Sequence, residues 1–83
     1  MLIWDEPKRL ANLSKRRFDF EDAAFFEWER ALVVDSYSGR LKAIGKFRGR
    51  TVVVVYTRLG DEALSIVSFR PANRKERKLY DQG

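Results

Sequence analysis

Basic side chains that could bind phosphate groups are concentrated in two stretches of the sequence. In the first, residues 40–48, the positions that share one face of a predicted strand are Arg40, Lys42, Lys46 and Arg48. In the second, residues 68–77, Arg70 ends another predicted strand and further basic residues follow on a predicted helix. Guanidinium and ammonium groups bind phosphate oxygens and can stabilise negative charge that develops in a transition state. Both stretches therefore indicate a candidate site for a polyanion such as a nucleic acid.

Each stretch also has an ordinary structural explanation. An antiparallel sheet needs one polar face, and basic side chains on an edge strand discourage aggregation. In the second stretch Asn73 and Glu76 have the spacing of a helix capping box, and Arg77 and Lys78 suit the solvated end of a short helix. Neither capping nor packing calls for a guanidinium at Arg70. We expect Arg70 to be functional, with a structural ion pair as the alternative.

Composition restricts the chemistry that the chain can perform. The net charge of +5 is unevenly spread, because residues 1–35 carry six basic and eight acidic side chains, whereas residues 36–83 carry eleven and four. Since Cys and His are absent, disulfides, thiolate or histidine metal sites and histidine acid–base catalysis are excluded. No phosphate-binding glycine loop or catalytic carboxylate pair is present. We predict no metal and no cofactor.

The sequence does not predict a membrane protein. The longest apolar run, residues 52–56, is far shorter than a membrane span, and Asp5 and Glu6 stand where a signal peptide would be basic. We therefore expect a cytoplasmic location and no membrane partner.

Hydrophobic periodicity predicts a small α+β fold in a single domain over residues 1–83. A strand at residues 1–4 precedes a helix over 6–16, and a second helix is predicted from Asp19 to about Ala31. Further strands are predicted at 32–34, 40–47, 51–57 and 63–69, with a short C-terminal helix from Asn73 to about Tyr80. The predicted architecture is a small antiparallel twisted sheet with the two N-terminal helices packed on one face.

This arrangement predicts which side chains are accessible. The helices would cover the strand face of Leu41, Ala43, Gly45 and Phe47, so the basic face would look into solvent. Phe25 and Phe26 exceed what a one-faced helix needs and would cover the sheet edge or a partner. If the main role is assembly with a partner protein, the expected exposed interface anchors are Phe25, Phe26 and Trp28. Trp4, Tyr56 and Tyr80 could stack on bases, although core packing explains Trp4 and Tyr56 equally well.

An ordered set of residues resembles the BrnT family of bacterial toxins, and the match runs from residue 3 to residue 80. The set comprises Trp4, Asp5, Lys8, Asn12, Lys15, Phe20, Glu21, Ala23, Arg40, Ile44, Gly45, Val55, Tyr56, Thr57, Ile66, Val67, Ser68, Arg70, Ala72, Glu76, Arg77 and Tyr80. The resemblance implies a RelE-like fold, cleavage of RNA, and neutralisation by an antitoxin similar to BrnA, a small ribbon-helix-helix protein. Promoter DNA would be bound only through the toxin–antitoxin complex.

With this resemblance, the basic residues can be given roles in RNA cleavage. RNA can be cut without metal or His when its own 2′-hydroxyl attacks the adjacent phosphate and cations stabilise the added charge. We predict that Arg70 binds the phosphate, that Lys46 and Arg40 stabilise charge, and that Tyr80 transfers a proton or stacks. Four further residues would contact the RNA along its length: Lys42, Arg48, Arg50 and Arg74. The alternatives are a nucleic-acid-binding module that does not cut, and a co-repressor subunit of a toxin–antitoxin complex.

The chain departs from the family pattern at two places. It has Arg16-Arg17 where the family usually has His-Gly, and Ser65 where many members have Arg. Either Arg17 takes the left-handed conformation of the usual glycine, which costs about 1 kcal/mol, or the helix ends differently.

Overall fold

The computed structural model describes all residues 1–83, and its centre is a five-stranded sheet. The strands are β1 (Leu2–Trp4), β2 (Leu32–Asp35), β3 (Leu41–Phe47), β4 (Arg50–Leu59) and β5 (Ala63–Pro71). Their order across the sheet is β1-β5-β4-β3-β2. β2 to β5 form an antiparallel meander as predicted, whereas β1 pairs in parallel with β5, so the prediction of a purely antiparallel sheet is wrong. Local pattern does not reveal this direction, because β1 finds its partner some sixty residues later in the chain.

Two α-helices flank the sheet. α1 (Glu6–Arg16) follows β1 directly, with Pro7 in its first turn, and α2 (Arg74–Gln82) closes the chain. Of the two helix ends left open by the sequence, α1 has the left-handed one, because Arg17 adopts φ 66° and ψ 18° and its N–H donates to Leu13 O. α2 begins with the predicted capping box, in which the side chains of Asn73 and Glu76 each accept from the other's backbone N–H. Neither helix is long and apolar enough to cross a membrane.

The predicted second N-terminal helix is wrong as an α-helix. The segment forms two short 3₁₀ helices, Phe20–Phe25 and Trp28–Arg30, with Phe26 in extended geometry between them. The physical reason is burial, since Phe20, Ala23 and Phe26 are buried and their spacing of three matches the period of a 3₁₀ helix. The predicted cap at Asp19 is present, with its side chain accepting from Glu21 N at 3.0 Å.

One face of the sheet carries the main core, which is rich in phenylalanine. Its buried side chains include Phe18, Phe20, Phe26, Phe47, Phe69, Val52, Val54 and Tyr56. Trp28 is half-buried there, and its indole N–H donates to Ala23 O at 2.9 Å. The expectation that Phe26 and Trp28 are exposed anchors is therefore wrong. Phe25 is 71% exposed, as expected.

α2 covers the opposite face of the sheet. A second cluster of Ile44, Val53, Val55 and Ala72 is buried there, with Tyr80 packed against it. The expectation that all helices lie on one face, leaving the basic side open to solvent, is therefore wrong. The reason lies in β4, whose consecutive valines present apolar side chains to both faces and so require cover on both.

Candidate nucleic-acid interface

The most constrained part of the candidate site is an ion-pair cluster between β3, β5 and α2. Arg70 on β5 donates from Nη1 to Glu76 Oε1 and from Nη2 to Glu76 Oε2, both at 2.8 Å. Lys42 on β3 donates from Nζ to Glu76 Oε2 at 2.9 Å. The sheet register brings these residues together, because Arg70 lies opposite Val53, which in turn lies opposite Ile44, two residues from Lys42. The structural ion pair considered for Arg70 is therefore present.

Glu76 is ionised and buried in this cluster. Only 2% of the residue is exposed, and its Oε1 also accepts from Asn73 N at 2.9 Å. The hydrogen bonds from Arg70 are the largest cause that lowers the pKa of Glu76 to about 2, with Asn73 and Lys42 adding to them. Hydrogen bonding to Glu76 in turn raises the pKa of Arg70. Because two cations surround one carboxylate, the cluster keeps a net positive charge.

Arg40 lies beside this cluster and makes no ion pair. It precedes β3, and its guanidinium carbon lies 4.9 Å from the centre of the Tyr37 ring. Its Nε is buried without a hydrogen-bond partner. Lys42 connects Arg40 to the cluster, because it lies two residues after Arg40 on the same strand face and its Nζ contacts Glu76. Arg40, Lys42 and Arg70, all predicted site residues, therefore belong to one cationic region.

Tyr37 is the residue of this region that sequence reasoning missed. It lies in the segment whose pattern indicates only a turn, on account of Asp35, Ser36, Ser38 and Gly39. The available signal was a large aromatic residue among small turn residues, three positions before the first basic residue of the strand face.

Lys46 and Tyr80 form a second group on the same face. Lys46 Nζ donates to Thr51 Oγ1 at 2.9 Å and lies 5.7 Å from the centre of the Tyr80 ring. Lys46 is four residues along β3 from Lys42, which separates their Cα atoms by roughly 13 Å. Of the four predicted catalytic residues, Lys46 and Tyr80 are in contact, whereas the sheet register separates the Cα atoms of Arg40 and Arg70 by roughly 16 Å.

The other predicted RNA contacts are more scattered. Arg48 and Gly49 both have positive φ and form the β3–β4 hairpin turn, so the prediction that Arg48 shares the strand face of Lys46 is wrong. The guanidinium of Arg48 lies 4.8 Å from the Phe47 ring centre, and that of Arg50 lies 5.3 Å from the Phe18 ring centre. Both rings belong to the phenylalanine-rich core, so these two arginines lie at the rim of the other face. Arg74 is exposed at the first position of α2.

Comparison with known proteins adds family information to this geometry. A family model described as the ribonuclease toxin BrnT of type II toxin–antitoxin systems matches residues 4–76. The crystal structure of the Brucella abortus ribonuclease toxin BrnT superimposes with a TM-score of 0.77 at 41% sequence identity, covering 88% of this chain and 96% of that one. A search of curated protein sequences gave no match.

Proposed function

Because the chain belongs to the BrnT family of ribonuclease toxins of type II toxin–antitoxin systems, we propose that it cleaves messenger RNA in the bacterial cytoplasm without a metal ion. The observation that most supports this proposal is the cationic region of Arg40, Lys42 and Arg70 beside the exposed Tyr37. Arg70 and Lys42 surround one buried carboxylate and Arg40 makes no ion pair, so an excess of positive charge remains for a phosphate group.

The proposed reaction uses the RNA as its own nucleophile. The 2′-oxygen loses its proton and forms a bond to the adjacent phosphorus, while the bond from phosphorus to the 5′-oxygen breaks. The 5′-oxygen takes up a proton, so the products are a 2′,3′-cyclic phosphate and a 5′-hydroxyl. Negative charge on the phosphate oxygens increases in the transition state, and cations held close to it lower the barrier.

We assign the first stabilising contacts to Arg40 and Arg70. The Arg40 guanidinium makes no ion pair, so it can contact a phosphate and leave every ion pair of the protein in place. In Arg70 the two terminal nitrogens each give one N–H to Glu76, and Nη1 also donates to Pro71 O at 3.2 Å. A guanidinium has five N–H groups, so the Nε–H and one Nη2–H of Arg70 stay available. Arg70 would therefore act while it is still paired with Glu76.

Lys46 and Tyr80 are assigned to the other side of the reacting phosphate. The sheet register places the Cα atom of Lys46 roughly 12 Å from the Cα atom of Arg70, two strands away. Two long side chains and a phosphate can fill this gap. Lys46 would stabilise charge, and Tyr80 would transfer a proton or stack on a base. Lys42, Arg48, Arg50 and Arg74 would contact the RNA beyond the cleaved bond.

The partner proposed for this toxin is a BrnA-like ribbon-helix-helix antitoxin. It would silence the toxin most simply by covering the basic face, and the complex would bind promoter DNA through the antitoxin. A relationship of the fold to the RelE ribonucleases belongs to the same proposal.

A second candidate function is RNA binding without cleavage. One observation favours it, namely that Glu76 already accepts from both terminal nitrogens of Arg70, the residue expected to hold the phosphate. The two functions differ in whether RNA fragments form.

The test is cleavage of end-labelled single-stranded RNA by the purified protein in excess EDTA. Arg40→Gln is the informative variant, because removing an arginine without an ion pair leaves the buried Glu76 paired. Arg58→Gln, an exposed arginine on β4, is the matched control for charge. We expect the removal of one transition-state interaction in Arg40→Gln to reduce the rate by about a hundredfold, with Arg58→Gln close to wild type. Wild-type cleavage that requires added Mg²⁺ would contradict the metal-independent mechanism, and binding without fragments, also in a translating extract, would favour the second function.

A further inference from the structure

Tyr37 combines exposure with a fixed position at the edge of the cationic region. The residue is 61% exposed, although its ring contacts the Arg40 guanidinium. We propose that Tyr37 is a stacking platform for an unpaired nucleobase of the RNA, and that it positions the nucleotide next to the phosphate held by Arg40 and Arg70. This inference rests on the proposed function and adds the base-binding element to it.

The backbone around Tyr37 is held in one arrangement. Ser36 N donates to Arg40 O at 2.8 Å, and Arg40 N donates to Tyr37 O at 3.0 Å, which closes the loop between β2 and β3. Ser38 and Gly39 both have positive φ, at 53° and 74°, and so turn the chain sharply inside these two hydrogen bonds. A platform that is already in place loses little conformational entropy when a ligand binds.

The surroundings of the ring fit a nucleotide. Arg40 lies over the ring at 4.9 Å, which leaves the exposed part of the ring for a second stacking partner. A base stacked there would bring its phosphate close to Arg40, an arginine whose guanidinium makes no ion pair. Base–aromatic stacking combined with backbone contacts to cations is the usual way in which proteins bind single-stranded nucleic acid.

An RNA explains these features better than a protein partner does. Aromatic residues at protein interfaces usually have apolar neighbours at the centre of the interface. The ring of Tyr37 instead contacts the Arg40 guanidinium, and the carboxylate of the adjoining cluster, Glu76, is already neutralised by Arg70 and Lys42. The positive charge beside an exposed aromatic ring favours a nucleic acid, which is a polyanion with flat bases.

The experiment measures binding of a 2′-O-methyl single-stranded RNA, which cannot undergo attack by its own 2′-oxygen. Tyr37→Leu removes the aromatic ring and keeps an apolar side chain, whereas Tyr37→Phe keeps the ring and removes the hydroxyl. Removing the platform for one stacked base weakens binding roughly 5- to 150-fold, so we expect that decrease for Tyr37→Leu and near-wild-type affinity for Tyr37→Phe. Phe25→Leu is the matched control, because Phe25 is a similarly exposed aromatic residue outside the cationic region.

The salt dependence of binding distinguishes stacking from phosphate binding. For single strands, the slope of log affinity against log salt concentration changes by about 0.7 for each phosphate that the protein no longer neutralises. Tyr37→Leu should keep the wild-type slope, whereas Arg40→Gln should reduce it.

Three results would overturn the inference. If the wild type binds RNA and Tyr37→Leu and Phe25→Leu bind it equally well, Tyr37 is not a stacking platform. The proposed ribonuclease function is unaffected by that result. Unchanged RNA affinity together with abolished binding of the co-expressed antitoxin would assign Tyr37 to a protein interface. A wild-type protein that neither binds nor cleaves RNA would overturn both this inference and the proposed function.

Discussion

The two faces of the sheet are closed by different kinds of interaction. The face under the two 3₁₀ helices is sealed by aromatic packing, with Phe18, Phe47 and Phe69 in mutual ring contact at centroid distances of 4.9 to 6.0 Å. The face under α2 has a small aliphatic cluster, and the buried Glu76 holds the helix to the strands through Arg70 and Lys42. Packing on the first face stabilises the fold alone. Ion pairing on the second face stabilises the fold and also keeps cations at the surface that we propose for RNA.

The largest effect that separates the two faces is expected from Arg70→Ala. This variant leaves Glu76 buried with Lys42 as its only cationic partner, and breaking a buried pair in this way costs about 3–5 kcal/mol of the free energy of unfolding. Urea unfolding followed by circular dichroism measures the decrease. The double variant Arg70→Ala/Glu76→Gln also removes the buried negative charge that has lost its Arg70 partner, so it should recover part of the stability. An Arg70→Ala protein as stable as wild type would show that the pair does not hold α2.

Acid should weaken the ion-paired face. The pKa of Glu76 is about 2 in the folded protein, below its ordinary value of 4.5, so the unfolded chain takes up the proton first as the pH falls. The contribution of Glu76 is complete above about pH 5, and about 3 kcal/mol of unfolding free energy is lost as the pH falls from there towards 2. Unfolding titrations of wild type and Glu76→Gln should therefore converge in acid. Parallel pH profiles for the two proteins would contradict the assignment.

A single added methyl group should disturb the packed face. Gly45 lies on β3, and a Cβ atom placed on it would lie 2.8 Å from Phe26 Cζ and 3.3 Å from Ala31 Cβ. Phe26 is buried, with its ring centre 4.9 Å from that of Trp28, so it has little room to move. We expect Gly45→Ala to lower the unfolding free energy by about 1–3 kcal/mol. Unfolding in urea measures this effect, and an unchanged midpoint would show that Phe26 can move aside.

The smallest effect should be a gain at the end of α1. Arg17 has φ 66°, a conformation that glycine adopts without strain, so Arg17→Gly should raise the unfolding free energy by about 1 kcal/mol. Arg16→Gly is the control, because Arg16 lies within the helix and glycine there should destabilise it by a similar amount. Thermal unfolding of both variants is the measurement, and a lower stability of Arg17→Gly than of wild type would contradict the explanation.

Local signals in the sequence predicted the elements that depend on neighbouring residues. The capping box of Asn73 and Glu76, the hairpin turn at Gly49 and the strand from Leu41 to Phe47 all involve residues close in the chain, and the structure contains each of them. The left-handed end of α1 at Arg17 was one of two alternatives that the family resemblance left open, and the structure shows it.

The features that failed depend on interactions between distant residues. The direction of β1 is set by β5, and the 3₁₀ geometry of Phe20–Phe25 is set by what the sheet below can accommodate. The placement of α2 on the basic face depends on Glu76 reaching Arg70 and Lys42, which lie on two different strands. For the same reason the sequence indicated Arg40 and Arg70 separately and did not place Tyr37 against Arg40.

The most direct test of the proposed activity is the chemistry of the cut RNA ends. A single-stranded RNA should be incubated with the purified protein in excess EDTA, beside the same RNA with 2′-deoxy nucleotides at the cleaved positions. We predict fragments that end in a 2′,3′-cyclic phosphate from the first substrate and no cleavage of the second at those positions. Cleavage of the 2′-deoxy substrate at the same positions would show that the nucleophile is not the 2′-hydroxyl, and would contradict the proposed mechanism.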